Sequence, residues 1–160
     1  MKKELVTISN GLEEYYWIRR DLYYKSKELK FNNIPLPADF TEGLCNEIYE
    51  MKTADNSTYK YVDSIDKNGN LIEIKSTQQG NSTTTVSKEE KYDFLMWIHF
   101  DYDSNTFCIK KYKKEDVDNC INQLSEEGQD KKRPVINLNK ISNCILEEKF
   151  EFIRKCLIKS

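Results

Sequence analysis

The chain has 160 residues and a mass of 19.0 kDa, with 38% hydrophobic and 32% charged residues. This length fits one domain whose core is stable without disulfide or metal cross-links, and the net charge of −2 argues against a polycation that coats nucleic acid. A membrane-spanning helix is excluded because no apolar run approaches about 18 residues, and no apolar stretch typical of a secretory signal follows the first lysines.

The first half of the chain predicts two helices and a β-hairpin. One helix is expected from Asn10 to Lys30, where the apolar residues lie largely on one face, and the prolines of residues 32–37 end it. A second helix is expected from Asp39 to Met51. Residues 59–65 and 70–76 then predict two short strands joined by the tight turn of an Asn-Gly pair.

A polar, uncharged loop or ragged strand at residues 77–87 opens the second half of the chain. The elements predicted after it are strands at 93–100 and 106–112, a helix near 115–126, a basic loop at 131–134 and a helix from Ile141 to Lys159. The run at 93–100 does not alternate, which is typical of a strand buried on both faces. This order of elements predicts an α/β or α+β fold in which helices lie outside a β-sheet.

The five cysteines stand singly along the chain, and His99 is the only histidine. A Cys/His zinc site and catalysis by a Ser-His or Cys-His pair therefore have little support. Single cysteines within apolar segments are typical of small buried side chains in a reducing cytoplasm, which is where we expect the protein. His99 alternates with Leu95 and Trp97 along a predicted strand, so we expect a structural role for it.

Asp63, Glu73 and Lys75 form the most informative group of residues. Glu73 and Lys75 lie two apart on one strand, so their side chains point to the same face. The turn places residues whose numbers sum to about 135 opposite each other, which brings Asp63 across from residue 72 or, with a bulge, 73. The two carboxylates could hold Mg²⁺, and the Lys75 ammonium would lie beside them. This combination suits the metal-assisted hydrolysis of a phosphodiester. The alternative is an exposed hairpin whose charges face water.

These residues resemble the PD-(D/E)xK motif of the restriction-endonuclease-like nucleases. In YVDSI and NLIEIKS, Asp63 matches the first acid of the motif, Glu73 the second and Lys75 the lysine, while Val62 stands at the position of the nominal proline. The resemblance extends to the segments at 40–44, 92–101 and 131–136. The first of these, FTEGL, resembles a helix whose glutamate reaches the active site in small members; Glu42 is that residue here, and helix capping is its alternative role.

The resemblance implies a restriction-endonuclease-like core with a mixed β-sheet flanked by α-helices. It also implies a Mg²⁺-dependent type II restriction endonuclease that cuts double-stranded DNA at a short specific site and leaves 5′-phosphate and 3′-hydroxyl ends. Asp63, Glu73 and the Ile74 carbonyl would hold the Mg²⁺, Lys75 would activate water and Glu42 would assist. The implied single domain at 1–160 is divided into an N-terminal helix at 1–30, a catalytic core at 38–138 and a C-terminal helix at 141–159.

The spacing is similar to that of PvuII-like type II restriction endonucleases, in which a polar segment follows the acid-x-Lys strand. The candidates for base reading in that segment are Gln78, Gln79, Asn81, Ser82, Thr83, Thr84 and Thr85, since such side chains donate and accept in the major groove. The candidates for phosphate contacts are Lys131, Lys132 and Arg133, together with Lys110, Lys111, Lys113 and Lys114. For each of them the alternative is a solvated surface residue.

Small enzymes of this class act as homodimers on short palindromes, so the resemblance also implies a homodimer. The candidate dimer surface is the aromatic N-terminal helix, through Tyr15, Tyr16, Tyr23 and Tyr24, with core packing as the alternative for at least half of them. No Gly-rich Walker loop is present, so no nucleotide cofactor is expected, and the lack of a long apolar run means that no membrane partner is expected. The alternative functions are a structure-directed or repair DNA nuclease of the same fold and a non-catalytic α/β interaction module.

Overall fold

The computed structural model describes residues 3–32, 34–154 and 156–160. Its helices are α1 (Asn10–Glu28), α2 (Ala38–Tyr49), α3 (Lys114–Asn122) and α4 (Glu126–Asp130), and a 3-10 turn spans Leu138–Lys140. Its strands are β1 (Glu4–Val6), β2 (Lys52–Thr53), β3 (Ser64–Ile65), β4 (Leu71–Gln78), β5 (Thr83–Thr85), β6 (Phe94–Asp101), β7 (Thr106–Lys113), β8 (Val135–Asn137), β9 (Leu146–Ile153) and β10 (Cys156–Lys159). Within these residues, none of the helices is long and apolar enough to cross a membrane.

In the described part of the chain, eight strands form one mixed sheet in the order β1-β10-β9-β7-β6-β4-β3-β2. The β4–β6 pair is parallel, and the other neighbours are antiparallel. Parallel neighbours need a long crossover, so the chain between β4 and β6 leaves the sheet and contributes β5 to a separate two-stranded ribbon with β8. A large mixed sheet with helices against it confirms the predicted fold class.

The two faces of the sheet carry two separate apolar clusters, because side chains alternate along each strand. On the helix face, which α1 and α2 cover, Ile72 and Ile74 of β4 lie in the first cluster with Ile98 of β6. On the ribbon face, which α3 and the β5–β8 ribbon cover, Leu95 and Trp97 of β6 lie in the second cluster. Residues 73, 75 and 77 of β4 therefore point to the ribbon face.

The predicted N-terminal helix is confirmed as α1, but two of its four tyrosines are core residues. Tyr16 is completely buried and stacks on Phe152 with 3.8 Å between ring centroids, and Tyr23 is also buried. They cannot lie in a dimer surface, and the predicted alternative of core packing for at least half of the four tyrosines is confirmed, since this side of α1 packs on the helix face of the sheet. Tyr15 and Tyr24 are half-buried.

The predicted C-terminal helix from Ile141 to Lys159 is wrong, since the chain there forms β9 and β10. Both patterns fit the sequence locally, because apolar residues at 146, 150, 153 and 157 repeat at helical spacing. The deciding interaction is long-range: β9 pairs with the open edge of β7 and buries Phe150 and Phe152 on one face. Lys155 belongs to the predicted helix and lies outside the described residues, as do residues 1, 2 and 33 of the predicted segments 1–30 and 32–37.

Three shorter elements also differ from the prediction. The predicted strand at 59–65 is reduced to β3, because the backbone turns before it and Tyr61 adopts φ 65°. The predicted helix near 115–126 stops at Asn122, and Ser125 caps the separate α4 by accepting a hydrogen bond from the Gly128 amide at 3.3 Å. The polar segment at 77–87 contains a true strand, β5, where the prediction allowed a loop or a ragged strand.

Candidate active site

The short pairing of β3 with β4 determines where the predicted site lies. β3 contributes only two residues to this ladder, and their register pairs Ser64 with Ile72 and Ile65 with Leu71. The partner numbers sum to 136, close to the sum that the turn predicted, so Asp63 comes level with Glu73 just beyond the last pair. The edge of β4 from Glu73 onward therefore has no neighbouring β3 residue, and the Asp63 side chain occupies that place.

Hydrogen bonds from both backbone and side chain hold Asp63 against β4. Its backbone N–H donates to the Ile72 carbonyl at 3.0 Å, and its Oδ2 accepts a hydrogen bond from the Ile74 N–H at 2.6 Å. The carboxylate thus replaces the strand partner that β3 does not supply. Because the N–H and C=O of a strand residue point to the same side, the Ile74 carbonyl lies on the Asp63 side of β4.

Glu73 and Lys75 form a largely buried ion pair on the ribbon face. Glu73 is 4% exposed, the Lys75 side chain is 15% exposed, and the Lys75 ammonium donates to Glu73 Oε1. The second oxygen, Oε2, is buried without a hydrogen-bond partner among the described residues. Burial raises the pKa of Glu73 to about 8; Lys75 opposes this shift, while the carboxylates of Asp63 and Glu90 add to it.

Glu42 joins this group from α2. It is half-buried, and burial raises its pKa to about 7, with Asp63 and Asp39 adding to the shift and Lys75 opposing it. The alternative role predicted for Glu42, helix capping, is not observed. α2 begins after Pro37, and no side chain among the described residues caps its first turn. The structure therefore brings together all four residues that the sequence singled out as catalytic candidates.

The chemistry of this group fits a hard divalent cation that keeps several water ligands. Within the described residues, no three His, Cys, Asp or Glu side chains are grouped closely enough to hold a metal. Asp63 and Glu73 thus offer two carboxylates, which is the usual protein share of a Mg²⁺ site. A cation would give Glu73 Oε2 the partner it lacks and would favour the ionised form of Glu73, whose pKa is raised mainly by burial and further by the charges of Asp63 and Glu90.

Comparison with known protein families identifies the family of this chain. The model of the Bsp6I restriction endonuclease family matches residues 7–145, a span that contains Glu42, Asp63, Glu73 and Lys75. The chain belongs to this family. Membership in the Bsp6I family supports the predictions of an endonuclease and of a restriction system. No curated protein matches the chain.

One buried carboxylate of this Bsp6I family member was missed by the sequence analysis. Glu90 is 2% exposed, its Oε2 has no hydrogen-bond partner within the described residues, and its charge contributes to the raised pKa of Glu73. Its Oε1 lies 3.8 Å from Arg133 Nη2. The surrounding sequence, KEEK, is typical of a solvated charged segment, so no local signal distinguishes Glu90.

The polar segment predicted to read bases starts at the carboxyl end of β4 and leads into the ribbon. Gln79 is already engaged, because its Oε1 accepts from the Tyr102 N–H at 3.1 Å and its Nε2 donates to Asp103 at 2.7 Å. The Gln78 amide donates to the Ile34 carbonyl at 3.3 Å. Asn81 Oδ1 accepts from both the backbone and the hydroxyl of Thr83, which shapes the turn into β5.

The other residues of that segment differ in their exposure. Asn81, Thr83 and Thr85 are exposed, and Ser82 and Thr84 are half-buried. Since β5 pairs with β8, the segment is held over the ribbon face, the same face that carries Glu73 and Lys75.

The basic residues differ in how exposed they are and in whether they form ion pairs. Lys131, Lys132 and Arg133 are exposed, and they directly precede β8 of the ribbon. Several lysines of β7 and α3 form ion pairs: Lys110 pairs with Glu147, Lys111 with Asp66, and Lys114 with Asp118. The Arg133–Glu90 contact links the exposed basic segment to the buried carboxylate of Glu90, whose charge acts on Glu73.

Proposed function

We propose that this chain is a Mg²⁺-dependent type II restriction endonuclease of the PD-(D/E)xK class that hydrolyses double-stranded DNA at a short specific site. The observation that carries the proposal is the convergence of Asp63, Glu73 and Lys75 at the unpaired edge of β4. The burial of Glu73 argues against the alternative of a hairpin whose charges merely face water, because an unused carboxylate is costly to bury. Membership in the Bsp6I family favours restriction over a structure-directed or repair nuclease.

In the proposed mechanism, Asp63, Glu73 and the Ile74 carbonyl would hold Mg²⁺. When bound, the ion would offset the charge that develops on the phosphate. Lys75, oriented by its ion pair with Glu73, would position the attacking water, and its ammonium would stabilise the negative charge that develops as the water loses a proton to the surrounding solvent or a nearby carboxylate. Glu42, whose pKa is raised and whose charge interacts with those of Asp63 and Lys75, would assist proton movement. The products would carry 5′-phosphate and 3′-hydroxyl ends.

The DNA would lie across the ribbon face. Lys131, Lys132 and Arg133 are proposed to contact phosphates, since exposed cations position a polyanion without reading its sequence. The polar segment from Gln78 to Thr85 is proposed to approach the bases.

The proposed function is tested by incubating the purified protein with a large unmethylated DNA and Mg²⁺. Discrete fragments of constant size are the expected result. Cleavage confined to branched DNA would instead support a structure-directed nuclease. Intact DNA with every divalent cation would support the non-catalytic module.

Replacing Glu42 by glutamine should lower the rate of cleavage by about 10- to 100-fold, because an amide cannot take up or release a proton as the carboxyl group would, and residues in the outer part of a site typically contribute about this much. The measurement is a single-turnover cleavage rate at saturating Mg²⁺. The matched control is Glu47→Gln on the same helix, whose exposed carboxylate accepts a hydrogen bond from the Ser9 N–H. Equal rates for both variants would remove Glu42 from the mechanism.

We also propose that the active form is a homodimer assembled through the outer side of α1. Ile18, Leu22 and Leu29 are 56%, 42% and 50% exposed, and their spacing places them on one side of the helix. An exposed apolar stripe of this kind is typical of an interaction surface, and a second copy covers it without a further partner.

Leu22→Glu should convert the protein from a dimer to a monomer, because a charge cannot be buried unpaired in an apolar interface. Analytical ultracentrifugation would report a mass of twice 19.0 kDa for the unmodified protein and a single 19.0 kDa species for the variant. Ile145→Glu, at a similarly exposed apolar residue outside α1, should remain dimeric. A monomeric unmodified protein at micromolar concentration would contradict the proposed dimer.

A further inference from the structure

A cavity of about 590 Å³ lies on the ribbon face beside the proposed active site. Thr77 follows Lys75 by two residues on β4, so its side chain points to the same face about 7 Å further along the strand. The β4–β6 register pairs Thr77 with His99, and His99 lines the cavity together with Gln79 and Ser82 of the polar segment. His99 at the cavity wall is thus two residues further along the sheet than Lys75 and one strand across from it.

Buried hydrogen bonds determine which nitrogen of His99 carries a proton. The Trp97 indole N–H donates to Thr77 Oγ1 at 2.7 Å, and the same hydroxyl lies 2.7 Å from His99 Nδ1. Thr77 is 3% exposed, so its hydroxyl proton would lack an acceptor if Nδ1 also donated. The hydroxyl therefore donates to Nδ1, and the neutral ring carries its proton on Nε2. Burial lowers the pKa of His99, which favours the same neutral form.

The charges around the cavity suit a neutral polar ligand better than a phosphate. Its lining includes Asp101, Asp103 and Glu147 against Lys110 and Lys149. Several of these carboxylates already have partners: Asp103 accepts from Gln79, and Glu147 pairs with Lys110 at 3.3 Å. A base edge offers hydrogen-bonding atoms without a net charge, and it is the part of DNA that carries sequence information.

We propose that this cavity is a base-reading site in which His99 Nε2–H donates to the N7 atom of a purine in the recognition sequence, and that Thr77 is the residue that orients His99. The inference rests on the proposed function and adds to it a specificity-determining residue. The donor is pre-oriented, because Trp97 and Thr77 are buried and hold the ring in one tautomer. Pyrimidines have no acceptor at the position of N7, so the site would discriminate between the two classes of base.

The first test measures cleavage of DNA in which each purine of the recognition sequence is replaced, one at a time, by its 7-deaza analogue. For the unmodified protein, one replacement should lower kcat/KM by about 10- to 100-fold, the loss expected for one good base contact. His99→Ala should cut normal DNA more slowly by a similar factor and should lose the sensitivity to that analogue. Thr77→Val should behave similarly, and Thr77→Ser, which keeps the hydroxyl, should restore the sensitivity.

The second test does not depend on activity. Because the chain has one histidine, labelling with ¹⁵N-histidine gives the NMR signals of a single ring. An unprotonated Nδ1 and a protonated Nε2 are expected near neutral pH, and this pattern should persist in Thr77→Ser and change in Thr77→Val. A protonated Nδ1 in the unmodified protein would overturn the inference.

Failure of the inference is distinguishable from failure of the proposed function. If the unmodified protein cuts at a specific site and no 7-deaza position separates it from His99→Ala, the base-reading role is wrong while the nuclease assignment stands. If the unmodified protein makes no site-specific cut, the proposed function fails and the inference with it.

Discussion

Lys75→Ala is expected to lower the rate of DNA cleavage by about 10²- to 10⁴-fold, the range for loss of a positioned acid–base group. Among the described ion pairs, the Lys75 ammonium is the one cation in direct contact with Glu73. Its side chain is only 15% exposed, so water or a solvent cation cannot readily replace the ammonium group. Single-turnover cleavage of a DNA fragment at saturating Mg²⁺ measures the effect, and circular dichroism confirms that the variant is folded. The fold should survive, because the raised pKa of Glu73 lets the buried carboxyl take up a proton once its partner is removed.

Lys159→Ala is the matched control for this experiment. Lys159 also forms an ion pair with a carboxylate, that of Glu148, but it lies on β10, which β9, β7 and β6 separate from β4. Its removal should leave the cleavage rate within about twofold of the original, since the pair does not contact the proposed site and distant residues act independently of one another. Cleavage by Lys75→Ala at the unmodified rate would refute the proposed site.

Asp63→Asn is expected to lower Mg²⁺-dependent cleavage by about 10³-fold, because several kcal/mol of transition-state stabilisation by a bound metal would be lost. The amide oxygen of asparagine can still accept the hydrogen bond from the Ile74 N–H, so the stability should hardly change. Asp63→Ala removes that acceptor as well and should lower the free energy of unfolding by a further amount of about 1–3 kcal/mol. Urea unfolding separates the two variants, and calorimetric titration with Mg²⁺ tests binding without reference to activity.

Asp93→Asn controls for a carboxylate that only supports the backbone. Asp93 Oδ2 accepts a hydrogen bond from the Leu71 N–H at 2.7 Å, so it plays the same structural part at the other end of β4. This variant should cut DNA at the original rate. If Asp63→Asn also cut normally and bound Mg²⁺ as tightly as before, Asp63 would be a structural residue only.

The two predictions concern the part of the site that short-range rules describe. A strand alternates with a period of two, and a tight turn pairs residues whose numbers have a constant sum. Those two rules were enough to bring Asp63, Glu73 and Lys75 together, and the register confirms the pairing. The local pattern does not show whether the hairpin is exposed, because burial of Glu73 depends on what covers the ribbon face.

Residues that act across the sheet were not predictable in the same way. Glu90 stands in a charged segment that resembles ordinary surface, and its burial is a property of the folded chain that the segment itself does not show. His99 meets Thr77 through a parallel register, and no rule of spacing along the chain relates residues on two strands joined by a long crossover.

The order of most elements, the hairpin and its three charged residues follow from the amino-acid sequence alone, because they depend on side-chain alternation, helical periodicity and turn chemistry within about 20 residues. Only the tertiary structure decides that residues 146–159 are strands rather than a helix, that Tyr16 belongs to the core, and that Glu73 is buried. Each of these depends on a partner far away in the chain: the free edge of β7, the ring of Phe152 and the cover of the ribbon face. Free energy from such contacts outweighs local preference, since pairing an open strand edge and burying aromatic rings contribute more than the small differences in propensity between helix and strand.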